Sequence, residues 1–127
     1  MPGYSIVGSN DPERAKAFYG ALLPELGITF LFDHAGGGAI YGAGGTLRVG
    51  VLGPFDGKPH VAGNGQMTAF EAASRGEVDR IHAHAMALGA RNEGDRVPRG
   101  GDDSPFYGSY CRDPDGNKSC IFNWASN

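Results

Sequence analysis

The stretch Asp11-Pro12-Glu13-Arg14-Ala15-Lys16-Ala17-Phe18-Tyr19 is the clearest helix start in the chain. Asp11 is a good N-cap, Pro12 suits the first helical position, and Glu13 complements the macrodipole. Ala15, Phe18, Tyr19, Leu22 and Leu26 then recur at three- and four-residue steps and make one apolar face. Pro24 removes a backbone donor, so the helix should loosen near Leu23 and end at Gly27. Ser74-Arg75-Gly76-Glu77 repeats the device as a Ser-x-x-Glu capping box. Its inner face is Val78, Ile81, His82, Ala85 and Leu88, with Gly89 as the C-cap. From cap to terminal glycine the first helix takes 16 steps (11 to 27) and the second 15 (74 to 89).

The match continues on both sides. An apolar run, Tyr4-Ser5-Ile6-Val7-Gly8, begins seven residues before the first cap, and Met67-Thr68-Ala69-Phe70-Glu71 begins seven before the second. Three strand candidates follow each terminal glycine: Ile28–His34, Gly38–Tyr41 and Thr46–Leu52, then Ala90–Arg96, Phe106–Arg112 and Lys118–Trp124. Asp113-Pro114-Asp115-Gly116-Asn117 supplies the last turn. The chain thus reads as an α+β domain of two βαβββ modules, residues 1–53 and 66–127, joined by a Gly- and Pro-rich linker, 54–65. A unit of about 60 residues buries too little surface to stand comfortably alone. The modules are therefore expected to share a core and to form a curved mixed sheet around a cleft.

Composition agrees with one β-rich domain. Glycine occurs 22 times in 127 residues, about 17% against a typical ~7%, and punctuates apolar segments as turns would. The net charge is -3 with no basic run, which speaks against nucleic acid as a partner. No apolar stretch approaches the roughly 20 residues of a membrane span, so no membrane partner is expected. Two cysteines cannot make a disulfide framework, and Met1-Pro2-Gly3-Tyr4 does not open like a signal peptide. The expected location is cytoplasmic.

The duplicated pattern, with Asp11–Tyr19, Gly63–Phe70, Ser74–His82 and Asp113–Asn117 in this order and spacing, resembles the vicinal oxygen chelate superfamily. That family comprises glyoxalase I, bleomycin-resistance proteins and extradiol dioxygenases; the middle helix, Ser74–His82, also looks like that of small glyoxalase-like bacterial members, and the resemblance covers nearly the whole chain. It implies a divalent metal in the cleft, held from the opening and last strands of each module. The opening positions here are Tyr4 and Met67, and the position after Asp113–Ser119 is Cys120. Its first-module counterpart falls at Arg48 or Val49 by alignment of the turns. A phenol, a thioether, a thiol and a cationic or aliphatic side chain do not suit a hard cation. No metal ligand and no cofactor are therefore assigned, a divalent metal remaining the less favoured alternative.

Other residues offer little replacement. His82 and His84 are two apart on a helix and cannot chelate together. His82 is expected buried and His84 solvated, with His34 in a strand and His60 in the linker. Cys111 and Cys120 stand opposite each other if paired residues sum to 231, whereas at 230 Cys111 faces Ser119; two packed thiols are the favoured reading. Asp102-Asp103 reads as a solvated loop pair. Glycine clusters such as Gly36-Gly37-Gly38 lack the spacing of a dinucleotide fingerprint.

The cleft lining is left to carry function. Cys120, Phe122 and Trp124 share a strand face by period-two alternation, and Tyr4 and Met67 should face the same space. Tyr41, Arg48, Phe55 and Tyr107 are further candidates. Aromatic rings plus one arginine suit a flat or amphiphilic organic molecule with an anionic or carbonyl group. The preferred function is small-molecule binding without metal, by a homodimer as relatives form. The alternative is a lyase, isomerase or dioxygenase with a nonstandard metal site or none.

Overall fold

A computed structural model describes residues 3–98 and 104–124, without the side chains of 95–98; the Asp102-Asp103 pair lies outside this range. The first module comprises β1 (Ser5–Gly8), α1 (Pro12–Leu22), a 3-10 turn (Leu23–Leu26), β2 (Thr29–Asp33), β3 (Gly38–Ala43) and β4 (Thr46–Leu52). The second comprises β5 (Thr68–Glu71), α2 (Arg75–Ala87), β6 (Arg91–Pro98), β7 (Phe106–Arg112) and β8 (Lys118–Trp124). Both N-caps form as the sequence implies: Asp11 accepts the Arg14 N–H and Ser74 Oγ accepts the Glu77 N–H, each at 3.1 Å. Pro24 converts the end of the first helix into the 3-10 turn, closed by Gly27 at φ 75°. Among the described residues no helix is long and apolar enough to cross a membrane.

The ladders divide into two four-stranded mixed sheets, ordered β1-β4-β3-β2 and β5-β8-β7-β6. In each, the opening strand runs parallel to the last strand and the other pairings are antiparallel. Alternation sends Val7, Tyr41, Val49 and Val51 of the first sheet, and Phe70, Cys111 and Ile121 of the second, toward the helices. There they meet Phe18, Tyr19 and Leu22 of α1 and Val78, Ile81 and Ala85 of α2 in one continuous core. Each large side chain so buried contributes about 1.5–3 kcal/mol. The modules are thus interdependent through their helix-side faces.

Among the described residues, polar groups join the modules at two places. Arg80 and His84 of α2 both pair with Glu25 of the first module. Burial alone would raise the Glu25 carboxyl, but hydrogen bonds from His84 and Arg80 outweigh it and hold it below its ordinary value. His84 is therefore half-buried and paired, not solvated, because the 3-10 turn brings Glu25 against its helix face.

The second junction is the Asp113–Asn117 turn. Asp113 is buried, and its carboxylate accepts the Asp115 and Asn117 N–H groups, each at 2.9 Å, and the Tyr19 hydroxyl from the other module. Asn117 Nδ2 donates to the Gly8 carbonyl at 2.8 Å. Asp115 accepts the Asn10 N–H at 2.9 Å and the Arg14 guanidinium at 3.0 Å. A motif that reads locally as a turn is also the clasp between the halves.

Candidate functional site

The parallel ladders identify equivalent positions in the two modules. Ser5 pairs with Val49 and Thr68 with Ser119, so one residue earlier Tyr4 stands beside Arg48 and Met67 beside Lys118. Cys120 pairs with Ala69, and the corresponding pair in the first module is Ile6 with Gly50. The counterpart of Cys120 is therefore Gly50, not Arg48 or Val49; strand register, not turn alignment, sets the equivalence. A β-carbon at Gly50 would meet the Cδ1 atoms of Ile6 and Ile40, whose side chains already occupy that space.

The four positions where the resemblance implies ligands are thus Tyr4, Gly50, Met67 and Cys120. Gly50 offers no donor side chain, and Cys120 is fully buried. Among the described residues no group of three or more His, Cys, Asp or Glu could hold a metal ion. This donor set does not fit a divalent cation.

An aromatic plate covers Cys120. Phe106 pairs with Trp124 and Gly108 with Phe122, which puts these residues on the sheet face turned away from the helices. The Phe106 and Phe122 rings stack at 5.5 Å with 11° between planes, and Trp124 meets Phe106 edge-on at 6.4 Å. Gly108 makes the room: a β-carbon there would collide with the Phe106 ring and touch Cys120 Sγ. Trp124 remains 60% exposed.

The nine candidates drawn from the sequence separate accordingly. Tyr4, Met67, Arg48, Phe122 and Trp124 lie on the faces away from the helices, with Cys120 beneath the plate. Tyr41 lies on the helix side, in the core, and its hydroxyl donates to the Lys16 carbonyl at 3.4 Å. Tyr107 also faces the helices, donating to Asp79 at 2.7 Å under the Arg75 guanidinium. Both follow from pairing: Tyr41 shares its face with Val49, and Tyr107 pairs with Asn123, whose side chain donates to Ala72. Phe55 is fully exposed in the linker. Phe106 is missing from the sequence-based candidates, although the 230 register places it on the Trp124 face.

That register also separates the cysteines. Cys111 pairs with Ser119 and packs in the helix-side core, while Cys120 lies on the opposite face. Burial pushes the Cys111 thiol up to about 12, and the nearby Asp113 charge adds to it. Both cysteines should resist an aromatic disulfide reagent in the folded protein and react promptly in guanidinium. A rapid native reaction of either thiol would contradict this packing. Of the histidines, His82 is buried, and His34 accepts the Gly36 N–H in the β2–β3 turn. The His60 backbone ties the linker to Asn10.

Where β1 approaches the start of β5, a cavity of about 230 Å³ opens between the two sheets, lined by Ile6, Gln66, Met67, Asn117 and Lys118 among others. It is smaller than the ~300–1,000 Å³ of typical ligand pockets. It adjoins the open aromatic face of the second sheet without enclosing it.

The chain matches the family model for the glyoxalase/bleomycin resistance protein/dioxygenase superfamily over residues 4–121. A glyoxalase/bleomycin resistance protein from Albidiferax ferrireducens T118 is 35% identical, with TM-score 0.80, the match covering 97% of this chain and 98% of that one. A glyoxalase candidate from Bacillus halodurans is 26% identical, with TM-score 0.76 and coverage of 97% and 95%. A family enzyme from Burkholderia phytofirmans PsJN, 17% identical with TM-score 0.72 and coverage of 96% and 97%, shares the fold. No curated protein matches the sequence. With the duplicated βαβββ architecture and a family match across nearly its whole length, the chain belongs to the glyoxalase/bleomycin resistance protein/dioxygenase superfamily.

Proposed function

We propose that this protein binds a small aromatic organic molecule on the sheet faces turned away from its helices, without a divalent metal, and releases it unchanged. The supporting observation is the Phe106–Phe122–Trp124 plate lying over Cys120, where a metal ligand would otherwise project. Stacked rings left open to water favour a flat apolar partner, because covering them removes apolar surface from solvent and adds ring-ring contact. Tyr4 and Met67, both half-exposed, extend the apolar surface toward the junction of the sheets.

The test is a thermal-shift screen of aromatic compounds, followed by mass spectrometry of each binder after incubation and by elemental analysis of the purified protein. Expected are compounds that raise Tm and return intact, with metal well below one ion per chain. A chemically altered binder, or one divalent ion per chain surviving desalting, would overturn the reading in favour of an enzyme.

A further inference from the structure

The open face of the second sheet is charged unevenly along its length. Lys118 pairs with Arg112 and stands beside Met67, on the same face as Cys120 and Phe122. Arg112 is engaged by Glu93 at 3.2 Å and by the Gly116 carbonyl at 2.9 Å. Lys118 has no carboxylate partner among the described residues; its Nζ lies 5.3 Å from the Tyr110 ring centroid. It also lines the 230 Å³ cavity at the end of the strip. At the other end the exposed Glu71 pairs with Phe122 and shares its face. Lys118 and Phe122 are four residue steps apart along the strand, roughly 13 Å at about 3.3 Å per residue.

An ammonium at the cavity and, four residues along the strand, a stacked plate with a carboxylate beside it define both ends of a ligand. Resting on the binding reading above, we infer that this face takes an elongated aromatic carboxylate, its anionic group on Lys118 and its rings over Phe106 and Phe122. The reverse orientation sets the anion against Glu71. A neutral molecule would make no ion pair with Lys118, and a cation would be repelled by it, Arg112 being already engaged by Glu93.

Biphenyl-4-carboxylate, about the required length, is the probe, with biphenyl-4-carboxamide as its neutral isostere. Binding is read by calorimetry and by the fluorescence of Trp124, the sole tryptophan of the chain. The carboxylate should bind about tenfold more tightly than the amide, as a charge-assisted contact permits. Lys118→Gln should abolish that preference, weakening the carboxylate far more than the amide, and Lys118→Arg should retain it. Phe122→Ala should weaken both probes equally. Equal binding of the two probes, or a preference that survives Lys118→Gln, would overturn the charge assignment while leaving the binding face intact. If neither probe binds nor perturbs Trp124, both the assignment and the binding reading for this face fail.

Discussion

Replacing Gly38 by alanine should cost about 3–5 kcal/mol of stability and lower Tm by about 10–20 °C. Gly38 opens β3 at φ 95°, a conformation that disfavours any side chain, and a β-carbon there would collide with the Val51 carbonyl oxygen of the adjacent strand. Two independent penalties therefore add at one position, and the second involves backbone that cannot swing aside. Gly53 has no positive φ and open space where a methyl group would stand, so it is the control. Its alanine variant should change by less than about 0.5 kcal/mol. Thermal and denaturant unfolding by circular dichroism would show the difference. Equal stability of the two alanine variants would mean that β3 and β4 do not meet at this register.

Asp113→Ala should be nearly as damaging, at about 3–4 kcal/mol. The carboxylate accepts from the Tyr19 hydroxyl and from two backbone N–H groups, so its loss strands several donors in a buried place. Tyr19→Phe removes one donor together with its need for a partner and should cost about 1 kcal/mol. Burial, reinforced by the Asp113 charge and hydrogen bond, holds the Tyr19 hydroxyl well above its ordinary value of 10. The unfolded tyrosine ionises first, so its contribution is whole below pH 10 and declines as pH rises beyond it. Tyr19→Phe should blunt that alkaline loss. An Asp113→Ala protein within about 1 kcal/mol of the parent would show that the turn does not clasp the modules.

The repeat was legible because caps and helix faces are local signals. Asp11 and Ser74 cap their helices with their own side chains, and Pro24 and Gly27 punctuate the first without help from tertiary contacts. The βαβββ pattern and the buried His82 followed from spacing alone. The facing of individual aromatics was less legible, since alternation assigns a face only once register is known. Tyr41 and Tyr107 needed their partners Val49 and Asn123 to be recognised as helix-side residues. Gly50 was hidden for the same reason: only the β1–β4 ladder, across more than forty residues, sets it opposite Ile6. His84 looked solvated because Glu25 reaches it from the other module. The clasp at Asp113 is nonlocal in the same way, joining an ordinary turn to a tyrosine on a distant helix.

The bond from Asn117 to the Gly8 carbonyl spans 109 positions of sequence. During synthesis, a nascent chain must clear the ribosomal tunnel as far as residue 117 before the first strand can acquire this partner. The earlier half therefore waits, with part of its apolar helix face uncovered, for a segment translated long after it. Its maturation is timed by the arrival of the later half.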